Sequence, residues 1–377
     1  MESTTITTTT SCPPNGRSES NILVLAGFKP AGQHASSTPD REMESNTEII
    51  VMHLLDQVPE FRRLADLRRK GWESPAGNKH FKKQRRNADK TDADTSRYHF
   101  HLMKKIANEL HHATTGFAAR FFPGSILDMC AAPGGFLATA IRINPDAEVV
   151  AFSLPPSDGG YNVLLPLDKM QCVDFLDVTM LAADMGVTVI PPDHPDAGKF
   201  LPRQLPEMRS FDLVLCDGQV LRTHERASYR ELREPLRLKT TQLSLGLEHL
   251  RPRGTMVVLL HKIEAWDTVC ILRTFSKFSS MRVHKPTAGH TARSSFYMVA
   301  TGVDSQHPEA IEAVEKWKAV WRAATFGTDE EFAEALRGGE PSAEEMWDEF
   351  GHELVTNGKG VWNVQADALV NAQFTKS

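Results

Sequence analysis

No stretch of the 377 residues approaches the eighteen or so consecutive apolar residues that a bilayer-spanning helix needs, so no membrane protein is expected. Positive charge is not in excess either: 43 Lys and Arg stand against 48 Asp and Glu, for a net charge of −5. Such a chain has no global attraction to phosphate, and any nucleic-acid binding has to come from a local basic patch. Cysteine is sparse, with five residues that nowhere form a CxxC pair. That excludes a structural zinc framework, predicts no metal site, and suits a reducing compartment, cytoplasmic or nuclear. The first residues lack the basic-then-apolar order of a secretory leader; Met1 to Thr10 is a Ser/Thr run, expected to be disordered.

What is present falls into four parts. Residues 1–46 read as a disordered low-complexity tail, interrupted by the apolar stretch Ile22 to Phe28, a strand or anchoring segment. Residues 47–97 read as a helical and basic extension. From Thr47 to Arg69, apolar residues such as Ile50, Leu54, Val58, Phe61 and Leu64 recur every three to four positions, the spacing of an amphipathic helix. Arg68, Arg69, Lys70, Lys79, Lys82, Lys83, Arg85 and Arg86 follow, with Trp72, His80 and Phe81 among them. Cations beside aromatics suit a surface that tracks an RNA backbone and stacks on bases, although a solvated linker has the same composition.

Residues 98–303 alternate short β-rich runs with helical ones, the pattern of a sheet covered on both faces. The expected strands are Ser125 to Met129, Glu148 to Leu154, Met170 to Asp174, Phe211 to Cys216, Thr255 to His261, Met281 to His284 and Ser295 to Ala300. Helices are expected at Phe136 to Ile143, Ala227 to Leu250 and Trp266 to Phe278. The last two strands leave no room for a helix between them and predict an antiparallel edge. The fold class is therefore α/β: a Rossmann-like, doubly wound, mostly parallel seven-stranded sheet with an antiparallel last strand and helical extensions at both ends. Residues 304–377, with helical patterns over Pro308 to Ala324 and Asp329 to Val355, form the C-terminal extension.

The most specific segment is Ile126 to Leu137, ILDMCAAPGGFL: an apolar strand, an acid at its end, and a Pro-Gly-Gly turn opening a helix. Glycines there permit unusual backbone angles and close approach of a ligand, and the helix points free N–H groups at the ligand's polar tail. The string DMCAAPGGF, Asp128 to Phe136, resembles the DLGAAPGGW motif of FtsJ-type methyltransferases, which methylate ribose 2′-hydroxyls in RNA. The resemblance covers roughly 200 residues and neither flank. It implies S-adenosylmethionine as cofactor, held by Asp128, Ala132, Pro133, Gly134, Gly135 and Phe136. A second strand is expected to end in an acid for the ribose hydroxyls, where this sequence offers Ser153, with Asp158 nearby. The third strand's Asp174 and Phe175 match the family's Asp-Phe pair near the adenine, with Asp177 as an alternative.

The family's catalytic tetrad is Lys-Asp-Lys-Glu. Asp217 ends the apolar run Phe211 to Cys216, where a doubly wound sheet places functional groups. Lys262 follows the strand Thr255 to His261 at the family's general-base position; burial or neighbouring cations have to lower its pKa for that role. Lys104, with Lys105 beside it, fits the first lysine. Ser295 stands where the glutamate is expected, with Glu264 or Asp267 as spatial substitutes. Three functions follow as expectations: methylation of an RNA ribose; methylation of a small molecule or protein, with His224 or His290 as base; or a cofactor- and RNA-binding protein weakened in catalysis.

Overall fold

The computed structural model describes residues 38–88 and 92–372. The stretch Ile22 to Phe28 and most of the expected disordered tail lie outside the described residues. The amphipathic segment expected as one helix is two, α1 (Thr38–Gln57) and α2 (Pro59–Glu73), and α1 begins within the expected low-complexity tail. Pro59 explains the break: its ring disfavours helical backbone at the residue before it, and Val58 is extended at φ −118° and ψ 99°. α3 (Pro75–Ala88) carries most of the basic segment. α4 (Ala93–Thr114) starts at Asp92, whose side chain accepts the Thr95 N–H at 2.8 Å.

The sheet comprises β1 (Ser125–Asp128), β2 (Glu148–Ser153), β3 (Val173–Phe175), β4 (Phe211–Cys216), β5 (Leu250–His261), β6 (Ser280–His284) and β7 (Ser295–Val303). Their order is β3-β2-β1-β4-β5-β7-β6, with β7 antiparallel to both neighbours and the remaining pairs parallel. This is the expected Rossmann-like sheet. β1 and β4 are buried along their whole length, as central parallel strands covered on both faces must be.

α5 (Gly135–Ile143) follows the glycine turn, and the short α6 (Leu167–Met170) takes up residues that shorten β3 from its expected start at Met170. α7 (Glu234–Glu248) begins at Pro235's first turn, later than the expected Ala227, and α8 (Trp266–Ser276) links β5 to β6. α4 and α5 cover one face of the sheet through Leu102, Ile106, Phe136 and Leu137. The other face packs on α7 and α8, and its core continues into α1, α2 and the C-terminal helices α9 (Pro308–Phe326), α10 (Asp329–Arg337) and α11 (Ala343–Asn371). Trp321 and Trp362 are fully buried there, so the extension is part of the core. The segment expected as one helix from Asp329 divides because α10 and α11 each open on their own capping box, Thr328 with Glu331 and Ser342 with Glu345. Among the described residues no helix is long and apolar enough to cross a membrane.

Candidate functional site

The chain leaves β1 towards β2 on one side, whereas β4 continues to β5 on the other, so a crevice opens at the carboxyl ends of β1 and β4. A cleft of about 300 Å³ lies there. Its floor is the turn Met129 to Pro133 with Gly135 and Phe136; Ser153 and Leu154 bound it after β2, and Asp217 after β4. Two glycines shape the turn for different reasons. Gly134 caps α5 at φ 104°, a left-handed conformation that L side chains rarely adopt. A Cβ on Gly135 would lie 2.5 Å from the Phe100 carbonyl and 2.6 Å from the Met103 Cβ, so this glycine lets α4 lie directly on α5.

Behind the floor, one acidic group is incompletely satisfied. Asp128 is fully buried; its Oδ1 accepts the Cys130 N–H at 3.0 Å, and its Oδ2 finds no partner among the described residues. Burial raises its pKa well above the carboxylate range, and the neighbouring Asp217 adds to the effect. Burial also raises Asp217. Ser153 Oγ is buried without a partner among the described residues. The unpaired Ser153 hydroxyl, on the cleft wall, suits a ligand that brings hydroxyl groups.

At the β3 side, Asp177 lines the cleft, while Asp174 and Phe175 are exposed and do not. Arg230 donates to Asp177 at 2.6 Å and to Glu234 at 2.5 Å, and holds Asp177 below its usual pKa against the effect of burial. Asp177, His224 and Glu234 are close enough to hold a metal ion. The Arg230 guanidinium already supplies the positive charge to both carboxylates, so the cluster is an ion-pair network in its own right.

The wall expected to carry the catalytic residues differs most from the sequence reading. Ser295 and Asp217 line the cleft, but Lys262 and Lys104 do not. Their places on the wall are taken by His261, His99 and Met103, joined by Tyr161, His290 and Arg293. Lys104 instead lies 5.5 Å from the Phe100 ring centroid. Burial lowers the Lys262 pKa to about 8, with Arg68 acting in the same direction and Glu264 and Asp267 opposing. His290 is pushed down to about 4 by burial and then by Arg293. The cofactor-side residues Ala132, Pro133, Gly135, Phe136 and Ser153 are thus brought together, whereas Asp128 and Gly134 support the cleft from behind its surface.

Sequence reasoning missed His261 and His99, and a signal for the first was present. Side chains alternate along a strand. Val257 and Leu259 face the α4/α5 side, and Met256, Val258 and Leu260 the opposite side, so parity assigns His261 to the cleft face. The basic segment also divides. Arg68 is buried and bonded to Glu264 and Gln365, so it belongs to the interior and not to an RNA-facing surface. Lys79, Lys82, Lys83 and Arg86 are exposed. The side chains of Phe81 and Arg85 lie outside the described ones.

A family model described as FtsJ-like methyltransferase matches residues 104–303. No curated protein matches the chain in sequence. Among solved structures, TrmN from Thermus thermophilus is 13% identical, with 55% of this chain and 53% of that chain covered and a TM-score of 0.31. An O-methyltransferase family protein from Burkholderia thailandensis is 13% identical over 68% of this chain and 72% of that chain, with a TM-score of 0.31. Human methyltransferase-like protein 13 in complex with SAH is 11% identical over 64% of this chain and 90% of that chain, with a TM-score of 0.29. The chain spans about half the length of TrmN.

Proposed function

This chain belongs to the FtsJ-like methyltransferase family, and from that premise we propose that it methylates an RNA ribose 2′-hydroxyl. It is an S-adenosylmethionine-dependent methyltransferase. The cofactor supplies an electrophilic methyl group on a sulfonium that is already a good leaving group. The residues present fit it: Ser153 has an unpaired hydroxyl for a ribose oxygen, and Asp217 places a carboxyl on the cleft wall as a hydrogen-bonding partner. The chain's own contribution is mainly alignment of acceptor and methyl donor.

The observation that carries the RNA reading is on α3. Lys79, Lys82, Lys83 and Arg86 are exposed at intervals of three and four residues, which places them on one helical face. In a chain of net charge −5 such a stripe is a local phosphate-tracking surface. A second reading, a small-molecule or protein acceptor, draws support from the histidine-rich acceptor wall, which lacks the family's lysine pair. The decisive experiment incubates the full chain and tritiated S-adenosylmethionine with total cellular RNA, protein and metabolite fractions. Label in RNA that survives alkaline hydrolysis as resistant dinucleotides supports the proposal, since a 2′-O-methyl group blocks cyclisation. Label confined to protein or metabolites overturns it in favour of the second reading, and cofactor binding without label in any fraction leaves a catalytically weakened binding protein.

A further inference from the structure

The end of β5 presents one side chain to the acceptor side of the cleft, and it is not the lysine. His261 is the last residue of the strand and the register partner of Ser295 on β7, which also lines the cleft. Lys262 leaves the sheet at φ 47°, donates its N–H to the Ser294 carbonyl at 3.0 Å, and starts a turn closed by Ala265 N–H to its own carbonyl at 2.8 Å. The charges acting on Lys262 include Glu264 and Arg68, which pair with each other in the interior. Resting on the methyltransferase reading above, we propose that His261 is the general base that takes the proton from the acceptor group.

The tautomer follows from the local hydrogen bond. His261 Nε2 lies 2.8 Å from Gln219 Nε2, two residues beyond Asp217. An amide nitrogen can only donate, so His261 Nε2 carries the lone pair and Nδ1 the proton. An acceptor hydroxyl replacing the Gln219 amide at Nε2 meets an unprotonated ring nitrogen. In the reaction the acceptor oxygen bonds to the methyl carbon as the carbon–sulfur bond breaks. The electron pair of that bond goes to sulfur, giving S-adenosylhomocysteine, and the acceptor's proton goes to Nε2. From there it leaves to solvent, because His261 is exposed through the cleft mouth.

The charges around the imidazole keep it in the neutral form that a base requires. Lys239 of α7, and Lys285, His290 and Arg293 of the β6–β7 segment, face it, with Asp267 at the start of α8 as the opposing anion. The crowding walls, and then the cations Lys239, Lys285 and Arg293, push its pKa down to about 4. The same cations favour negative charge developing on the acceptor oxygen.

The test uses the full chain in two measurements. In histidine-ring NMR, with the His261 signals assigned by their loss in His261→Asn, addition of S-adenosylhomocysteine moves the His261 resonances, and their titration midpoint lies near pH 4. In tritium transfer from S-adenosylmethionine to total cellular RNA, His261→Asn loses about a hundredfold or more in rate while S-adenosylhomocysteine affinity stays within about threefold. The wild-type rate is then flat above about pH 5.5; a base titrating like Lys262, at about 8, would make it climb tenfold per unit up to that pH. His261 resonances indifferent to the ligand, a His261→Asn rate within tenfold of wild type, or a rate climbing to pH 8 overturns the proposal. Absence of S-adenosylhomocysteine binding by the wild-type chain overturns the methyltransferase reading, and this inference with it. If the ligand binds and label goes to the protein or metabolite fraction instead of RNA, the RNA reading fails alone and the same rate and pH comparison on that fraction decides the role of His261.

Discussion

Arg68 of α2 and Glu264 of the turn after β5 form an ion pair at 2.5 Å whose side chains are 7% and 0% exposed. The second Arg68 nitrogen donates to Gln365 Oε1 of α11 at 2.8 Å, and Gln365 in turn donates to the Ala292 carbonyl in the loop that carries His290 and Arg293. Both extensions therefore reach the segment that lines the cleft. Removing one partner of such a pair strands a buried charge, whereas removing both costs much less. Arg68→Met is expected to lose about 3–5 kcal/mol of stability, and Arg68→Met with Glu264→Leu to recover more than half of that loss. Urea denaturation of the two variants measures the difference.

Gly134 and Gly135 are expected to fail differently. Gly134→Ala strains a residue held at φ 104°, at about 1–3 kcal/mol, with its new Cβ meeting Leu165 at 3.3 Å in the protein and not projecting into the cleft. Gly135→Ala forces α4 away from α5 at the Phe100 carbonyl, which shifts His99 and Met103 on the cleft wall. Calorimetric titration with S-adenosylhomocysteine is expected to show a loss of affinity of about tenfold or more for Gly135→Ala, while Gly134→Ala shows its main effect in melting temperature.

Lys285 makes stability depend on pH. Its ammonium donates to the carbonyls of His290 at 2.9 Å, Arg293 at 2.6 Å and Ser295, yet burial, with Arg68 and Arg293, brings its pKa from 10.5 down to about 7. Between those two values the unfolded chain binds more protons than the folded one, so this group's contribution raises stability with increasing pH. Lys262, lowered to about 8, acts with the same sign over a narrower window. Lys285→Met is expected to flatten the rise in unfolding free energy between about pH 7.5 and 9.5, measured by denaturation across that range.

The exposed stripe on α3 predicts a salt effect. Replacing Lys79, Lys82, Lys83 and Arg86 with alanine is expected to weaken RNA binding and reduce the slope of log K against log salt by about 0.7 per lost phosphate contact on a single strand. Filter binding at a series of salt concentrations checks it, and an unchanged slope removes α3 from the RNA surface.

The sequence by itself determined the sheet and the location of the cleft. Short apolar runs such as Leu213 to Cys216, spaced between helical patterns, point to central strands, and the acid and Gly-Gly turn after Ile126 mark the carboxyl edge where a ligand binds; these are local patterns set by strand and turn geometry. What only the tertiary structure decided is which neighbour in each pair reaches that cleft. His261 rather than Lys262, Asp177 rather than Asp174, and His99 and Met103 rather than Lys104 line its walls. A one-residue change of position reverses the face of a strand and turns a helical side chain by about 100°, so motif spacing good to a residue or two cannot choose between them. Arg68 shows the same limit over a longer range. A basic run reads as surface until the partner 196 positions away, Glu264, is folded against it, because only a buried opposite charge makes the interior tolerable for a guanidinium.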